Sequence, residues 1–174
     1  RDLKLEHVFV TGAACRGRVV LKIGDFGYSI MTSERSFNRE SMGAPAYAAP
    51  ENYITPLLVC PVQTDSWCFG VCMFSMFECR FPFHGSENED IAHRERMANF
   101  GLLKEDLFAF PYHAMEKNPL FRDLVENLMI YEPLQRLNIN QVLRSPFFST
   151  TTPKSITPPQ MAACLARIGD SCLE

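Results

Sequence analysis

The sequence predicts a mainly α (α+β) domain: a helical bundle around one buried central helix, with a small β-hairpin near the N-terminus. Three observations carry this reading. Residues 65–77 hold Trp67, Cys68, Phe69, Val71, Cys72, Met73, Phe74, Met76 and Phe77, and a helix with no polar face has to be buried on all sides. Leu120, Phe121, Leu124, Val125, Leu128 and Met129 recur at helical spacing, which predicts a second helix with a core face. Residues 7–10 and 19–23 are short runs rich in β-branched side chains, joined through Gly12 and Gly17, and they predict two strands.

The remaining elements follow in order. Residues 28–48 are polar and irregular, and a loop this long inside a compact domain is usually functional or mobile. Gly43-Ala44-Pro45 closes it, and Tyr47 to Glu51 begin a new element. Thr64 or Asp65 is placed to cap the central helix. Ser86-Glu87-Asn88-Glu89 has capping-box spacing before an amphipathic run to about Phe100. Asn118-Pro119 opens the next helix, proline being well placed in a first turn. Residues 138–144 form a last short helix stopped by Pro146. The Ser/Thr/Pro-rich stretch 149–159 reads as a linker, and residues 161–168 as a small docking helix. The expected organisation is a folded domain over 1–148 followed by a linker and tail over 149–174.

Composition narrows the function classes. The 174 residues suffice for one domain with a real core. A net charge of −3 without a Lys/Arg run argues against a nucleic-acid partner. No apolar run approaches the roughly 20 residues that span a bilayer, so no membrane partner is expected. Seven cysteines, an odd number with no CxxC spacing, argue against a disulfide framework and for a reducing, intracellular compartment. The chain opens inside a motif, Arg1-Asp2-Leu3-Lys4, without an initiator methionine or signal peptide. The expectation is a piece of a longer product.

The chemistry centres on Lys22-Ile23-Gly24-Asp25-Phe26-Gly27, an apolar strand running into an acid and a glycine. A carboxylate held at a strand end, with a glycine two residues on to let the backbone swing, suits gripping a metal bound to phosphate. Taken singly, each such acid reads equally as a solvated charge or a helix cap. The order RDLK, KIGDFG, GAPAYAAPE, DSWCFG, YEPLQR resembles the large C-terminal lobe of a eukaryotic protein kinase over about residues 1–148. Lys4, two residues after Asp2, is similar to the serine/threonine branch. RDLKL, KIGDFG and a tail of the form FF…P..I.P…L resemble polo-like kinases.

The resemblance implies a division of labour for ATP-dependent phosphorylation of a protein substrate with a Ser/Thr acceptor, using ATP and Mg²⁺. Phosphoryl transfer is mostly positioning and charge neutralisation. Asp2 would orient the acceptor hydroxyl and take its proton. Lys4 would neutralise the transferring phosphoryl group, and Asp25 would bridge Mg²⁺ to the nucleotide phosphates. Phe26, Gly27, Glu40, Ser41 and Ala44 fall in the activation segment. Glu51 would pair with Arg136, Asp65 would hold the catalytic-loop backbone, and Trp67 follows it as a structural residue of the same helix. Lys22 is too near Asp25 to be the nucleotide-binding strand lysine and reads as a strand-end lysine in solvent.

Departures from the pattern temper this. His7 stands where the family has the asparagine that completes the metal's ligands, and imidazole is a poor replacement for Mg²⁺, which prefers hard oxygens. Ala44 stands where a threonine hydroxyl would hydrogen-bond to Asp2 and Lys4. Glu40 falls at the activating phosphothreonine position, where its single charge either mimics phosphate weakly or is an ordinary loop acid. Ser36 and Ser41 are candidate phosphosites. No glycine-rich loop occurs in the sequence, and the N-terminal lobe is absent from it, so this polypeptide is expected not to phosphorylate anything on its own. Two rivals stand beside the kinase reading: a pseudokinase lobe acting as a scaffold or binding module, and the product of an incomplete gene model.

Overall fold

The computed structural model describes residues 1–11, 20–30, 43–54, 61–82 and 113–150. Among them the order is β1 (Val8–Thr11), β2 (Val20–Ile23), α1 (Glu51–Ile54), α2 (Pro61–Glu78), α3 (His113–Lys117), α4 (Pro119–Leu128), α5 (Ile139–Leu143) and α6 (Pro146–Thr150). Single 3-10 turns lie at Leu5–His7, Pro45–Tyr47 and Pro133–Gln135. The fold is mainly α with one small sheet, as the sequence predicts. The expectations for Glu40, Ser36, Ser41, the helix near residues 86–100 and the tail beyond residue 150 lie outside the described residues.

The axis is α2. It begins at Pro61, a turn earlier than expected, so Thr64 and Asp65 lie inside the helix and do not cap it. Trp67, Val71 and Phe74 have no exposed surface. Burial stops one turn short of the end, since Met76 and Phe77 are 38 % and 42 % exposed. The expectation of a helix buried on all sides therefore holds only between Ser66 and Ser75, where Phe69 is half-buried. Cys68 and Cys72 are buried free thiols and Cys79 a half-buried one.

Packed against α2, α4 presents Phe121, Leu124, Val125 and Leu128 to the core. Leu120, predicted on that face, sits in the first turn and is 38 % exposed. Asn118 caps the helix by accepting from the Phe121 N–H at 3.1 Å, with Pro119 in the first turn. Gly70 allows the close approach: a Cβ there would stand 2.7 Å from Met129 Cγ and 3.0 Å from Leu128 Cβ. Phe77 stacks on Phe121 with ring centroids 4.1 Å apart, and Phe147 of α6 meets both rings edge-on or tilted.

Two boundaries differ at the C-terminal end. α5 is opened by a reciprocal capping box between Asn138 and Gln141, and Pro146 does more than end it. Its fixed φ suits a first helical position, so it opens α6, which takes in Ser149 and Thr150. Ser149 and Thr150, read from the sequence as the start of a linker, are therefore helical. Among the described residues no helix is long and apolar enough to cross a membrane.

The hairpin positions the site. β1 and β2 pair antiparallel with Val8 opposite Ile23 and Thr11 opposite Val20. His7, predicted in the first strand, ends the preceding 3-10 turn, yet its carbonyl still accepts from the Gly24 N–H at 2.9 Å. That bond carries the pairing one step past the strands and brings His7 alongside Asp25. Lys22 lies exposed on β2.

Candidate active site

Asp2 is the best-held carboxylate of the N-terminal segment. Its Oδ1 accepts from the Ala44 N–H at 2.9 Å. Its Oδ2 faces Lys4 Nζ at 3.4 Å and His7 Nδ1 at 3.8 Å. The side chain is only 7 % exposed, so the orientation is fixed by its partners and not by solvent. Gly43 makes the Ala44 contact possible, because its φ of +103° is open to glycine and rarely to other residues. A Cβ at Gly43 would also lie 2.9 Å from the Arg1 carbonyl oxygen and 3.0 Å from Asp2 Oδ1. Ala44 lacks the hydroxyl that the resemblance implies, and its backbone supplies the contact to Asp2.

Asp25 leaves β2 with a left-handed φ of +55°. Aspartate tolerates that region better than most residues because its short side chain bonds locally. Here Oδ1 accepts from the Gly27 N–H at 3.2 Å. The unusual turn therefore falls on Asp25, whereas the sequence reading gave the backbone freedom to Gly27. Phe26 is 68 % exposed. Asp25 Oδ2 lies 3.3 Å from His7 Nε2, and His7 Nδ1 is 3.0 Å from the Asp2 carbonyl oxygen. His7 thus joins the two acidic positions, which sequence spacing alone leaves apart.

A second link was not legible in the sequence. The Tyr47 hydroxyl donates to Glu6 Oε2 at 3.0 Å and lies 3.4 Å from the Leu5 N–H. The buried ring packs edge-on against Phe81 at 5.1 Å. Burial, reinforced by the Glu6 carboxylate, pushes the Tyr47 hydroxyl well above the ordinary phenol range. It stays protonated and keeps donating. The one available signal was an aromatic with a polar tip set among alanines in GAPAYAAPE.

Glu51 and Arg136 meet inside the fold. Arg136 Nη1 and Nη2 each donate to a Glu51 oxygen at 2.7 Å. The remaining donors go to the carbonyls of Ile130 at 2.6 Å, Gln63 at 3.1 Å and Tyr131 at 3.0 Å. Those bonds occupy every N–H that a guanidinium has. Thr64 Oγ1 donates to Glu51 Oε1 at 3.1 Å, and the guanidinium carbon sits 4.9 Å from the centre of the Trp67 ring. Asp65 Oδ1 lies 3.2 Å from the Arg1 nitrogen, so α2 touches the N-terminal segment that carries Asp2 and Lys4.

The donor set fits Mg²⁺ poorly. Mg²⁺ is held by carboxylates and substrate phosphates in near-octahedral oxygen geometry. Asp25 offers a carboxylate of that kind, but the neighbouring position offers an imidazole whose Nε2 already faces the Asp25 oxygen. Among the described residues no group of three or more His, Cys, Asp or Glu side chains is arranged to hold a metal.

A family model described as the protein kinase domain matches residues 1–148. The chain is 27 % identical over its full length to the serine/threonine protein kinase OSK3 of Oryza sativa subsp. indica, covering 31 % of that protein. It is 29 % identical over 92 % of its length to the carbon catabolite-derepressing protein kinase of Saccharomyces cerevisiae, covering 23 % of it. It is 28 % identical over 91 % of its length to the SNF1-like protein kinase ssp2 of Schizosaccharomyces pombe, covering 24 % of it. The chain thus spans between 23 % and 31 % of the length of these curated relatives.

Proposed function

Because the chain belongs to the protein kinase domain family, we propose that it forms the catalytic-loop and activation-segment lobe of a serine/threonine protein kinase. The observation that carries this is the setting of Asp2. One oxygen is fixed by the Ala44 N–H, and the other faces Lys4 Nζ at 3.4 Å. An acceptor hydroxyl of a protein substrate placed at Oδ2 is oriented there and loses its proton to the carboxylate. The Lys4 ammonium offsets negative charge developing on the transferred group. The family uses ATP and Mg²⁺, the metal supplying charge neutralisation on phosphate oxygens. Since His7 departs from the Mg²⁺ pattern, no step here is assigned to the metal.

Residues 1–148 act as the lobe and residues 149–174 as its tail. The partners are ATP and a protein with a Ser/Thr acceptor, in an intracellular setting that the free thiols of Cys68, Cys72 and Cys79 favour. The subfamily is polo-like by RDLKL, KIGDFG and the tail pattern, although one relative above carries an SNF1-like name and none of those reported carries a polo-like one. Peptide-library profiles run beside one kinase of each type decide between them.

The test is phosphate transfer from ATP to Ser/Thr peptides by the protein carrying this segment. Asp2→Asn is expected to slow it by roughly 10²–10⁴-fold; an unchanged rate overturns the assignment. The 174 residues alone are expected to show no transfer, since no glycine-rich loop covers the nucleotide. A second reading, a pseudokinase scaffold, is favoured by the His7–Asp25 contact. It predicts protein binding that persists in Asp2→Asn and no transfer in the parent.

A further inference from the structure

The segments that carry Asp2 and Ala44 hold each other at two points. A backbone amide at the head of each 3-10 turn is taken by a side chain of the other segment. The Ala44 N–H donates to Asp2 Oδ1 at 2.9 Å, and the Leu5 N–H donates to the Tyr47 hydroxyl at 3.4 Å. Both bonds join residues 42 apart in the chain, so together they fix the two segments in one register. Neither turn has a side-chain cap of its own, and leading amides without a local cap need a partner from elsewhere.

Tyr47 is the fixed end of the link. The residue is buried, its ring lies edge-on to Phe81, and its carbonyl accepts from Cys68 Sγ of α2 at 3.2 Å. Its N–H donates to the Ala44 carbonyl at 3.0 Å. The residue that holds Asp2 and the residue that holds Leu5 are thus joined in one turn. The hydroxyl accepts from Leu5 and donates to Glu6 Oε2 at 3.0 Å, which uses its single donor and one lone pair. Leu5 is buried, so its amide has little water to turn to when the hydroxyl is removed. The Leu5–His7 turn begins one residue after Lys4, so releasing it loosens the stretch that carries Asp2 and Lys4.

We propose that the Tyr47 hydroxyl is a positioning group for Asp2: it pins the Leu5–His7 turn and thereby keeps the Asp2 carboxylate against the Ala44 N–H. It acts through the backbone and not on the reacting atoms. This role rests on the reading of Asp2 as the group that orients the acceptor hydroxyl, and its first test needs no phosphate transfer.

The protein carrying this segment is labelled with ¹⁵N-alanine, and the Ala44 amide is assigned by its loss in Ala44→Gly. An amide donating to a carboxylate resonates downfield and is protected from exchange. In Tyr47→Phe, which keeps the ring against Phe81, that signal is expected to move upfield and to exchange roughly tenfold faster. Glu6→Leu breaks the same link from an exposed position without disturbing the core, and should shift the signal in the same direction. Glu6→Gln keeps an acceptor for the hydroxyl and should restore it. In phosphate transfer, Tyr47→Phe should lower kcat by roughly 10–100-fold and leave KM for ATP and peptide nearly unchanged. Circular dichroism shows that each variant is folded. An Ala44 amide unchanged in both Tyr47→Phe and Glu6→Leu overturns the proposal. So does an effect confined to KM, which would place Tyr47 on the substrate. A parent protein that transfers no phosphate counts against the kinase reading alone, and the amide signal still decides the positioning.

Discussion

Arg136 closes a two-pronged pair on Glu51, both contacts at 2.7 Å, with the arginine side chain wholly buried and that of glutamate 6 % exposed. The pair ties the segment entering α1 to the turn before α5. It also spans α2, because Arg136 takes the Gln63 carbonyl as well and Thr64 bonds the same carboxylate. A planar fork matches this set of acceptors, and a point charge does not.

Removing one partner leaves the other charge buried. Arg136→Met is expected to cost roughly 3–5 kcal/mol, read from urea denaturation midpoints. Arg136→Lys should recover less than half of that, since lysine cannot serve Glu51 and three carbonyls together. A lysine variant as stable as the parent would falsify the geometric argument.

Gly43→Ala tests the clamp on Asp2. The new Cβ meets backbone at Arg1 and the Asp2 carboxylate, in a conformation with φ of +103°. Stability should fall by about 1–3 kcal/mol, and any transferase activity should fall with it as the Ala44–Asp2 bond is displaced. Full activity with lowered stability would separate the strain from the clamp.

Gly70→Ala sets two effects against each other. Alanine gains about 1 kcal/mol over glycine in helix propensity, while overpacking costs typically about 1–3 kcal/mol. One contact is the flexible Met129 side chain, but the other is Leu128 Cβ, close to the α4 backbone at 3.0 Å. Overpacking should win, giving a variant less stable by about 1 kcal/mol. In the Met129→Ala background, Gly70→Ala should still destabilise if the Leu128 contact decides the sign.

Stability should fall in alkali. Burial, reinforced by Asp65, pushes the Cys68 thiol from 9.0 up to about 12, and burial raises Cys72 as well. In the unfolded chain these thiols ionise near their ordinary value, while in the fold they stay protonated. Their contribution is therefore complete below about pH 9 and is lost as pH rises toward 12. Denaturation midpoints at pH 8 and pH 10.5 measure this, and Cys68→Ser/Cys72→Ala should flatten the slope. Native Cys68 should also resist alkylation at pH 8, since the thiolate is the reactive form.

Much of the fold is written in short-range pattern. The all-round apolar run predicted α2, the spacing of Phe121, Leu124, Val125 and Leu128 predicted α4, and Asn118-Pro119 marked its start, because helix periodicity and caps are local properties. Boundaries were less legible. Pro61 precedes the apolar run, and Pro146 reads equally as a stop or as a first helical residue. Leu120 has the hydrophobicity of a core residue but lies at a helix end that nothing covers.

The sequence by itself determined the two strands, α2, α4 and α5, the family and the identity of the chemical groups: Asp2, Lys4, Asp25, Glu51 and Arg136 in a recognisable order. Only the tertiary structure decided that the Ala44 backbone holds Asp2, that Tyr47 bonds Glu6, and that His7 stands between Asp2 and Asp25. Apart from the His7–Asp2 contact, each of those contacts joins residues distant in the chain. Its formation depends on the β1–β2 register, the left-handed turn at Asp25 and the positive φ at Gly43, and no local pattern of side chains encodes how those turns bring two segments together.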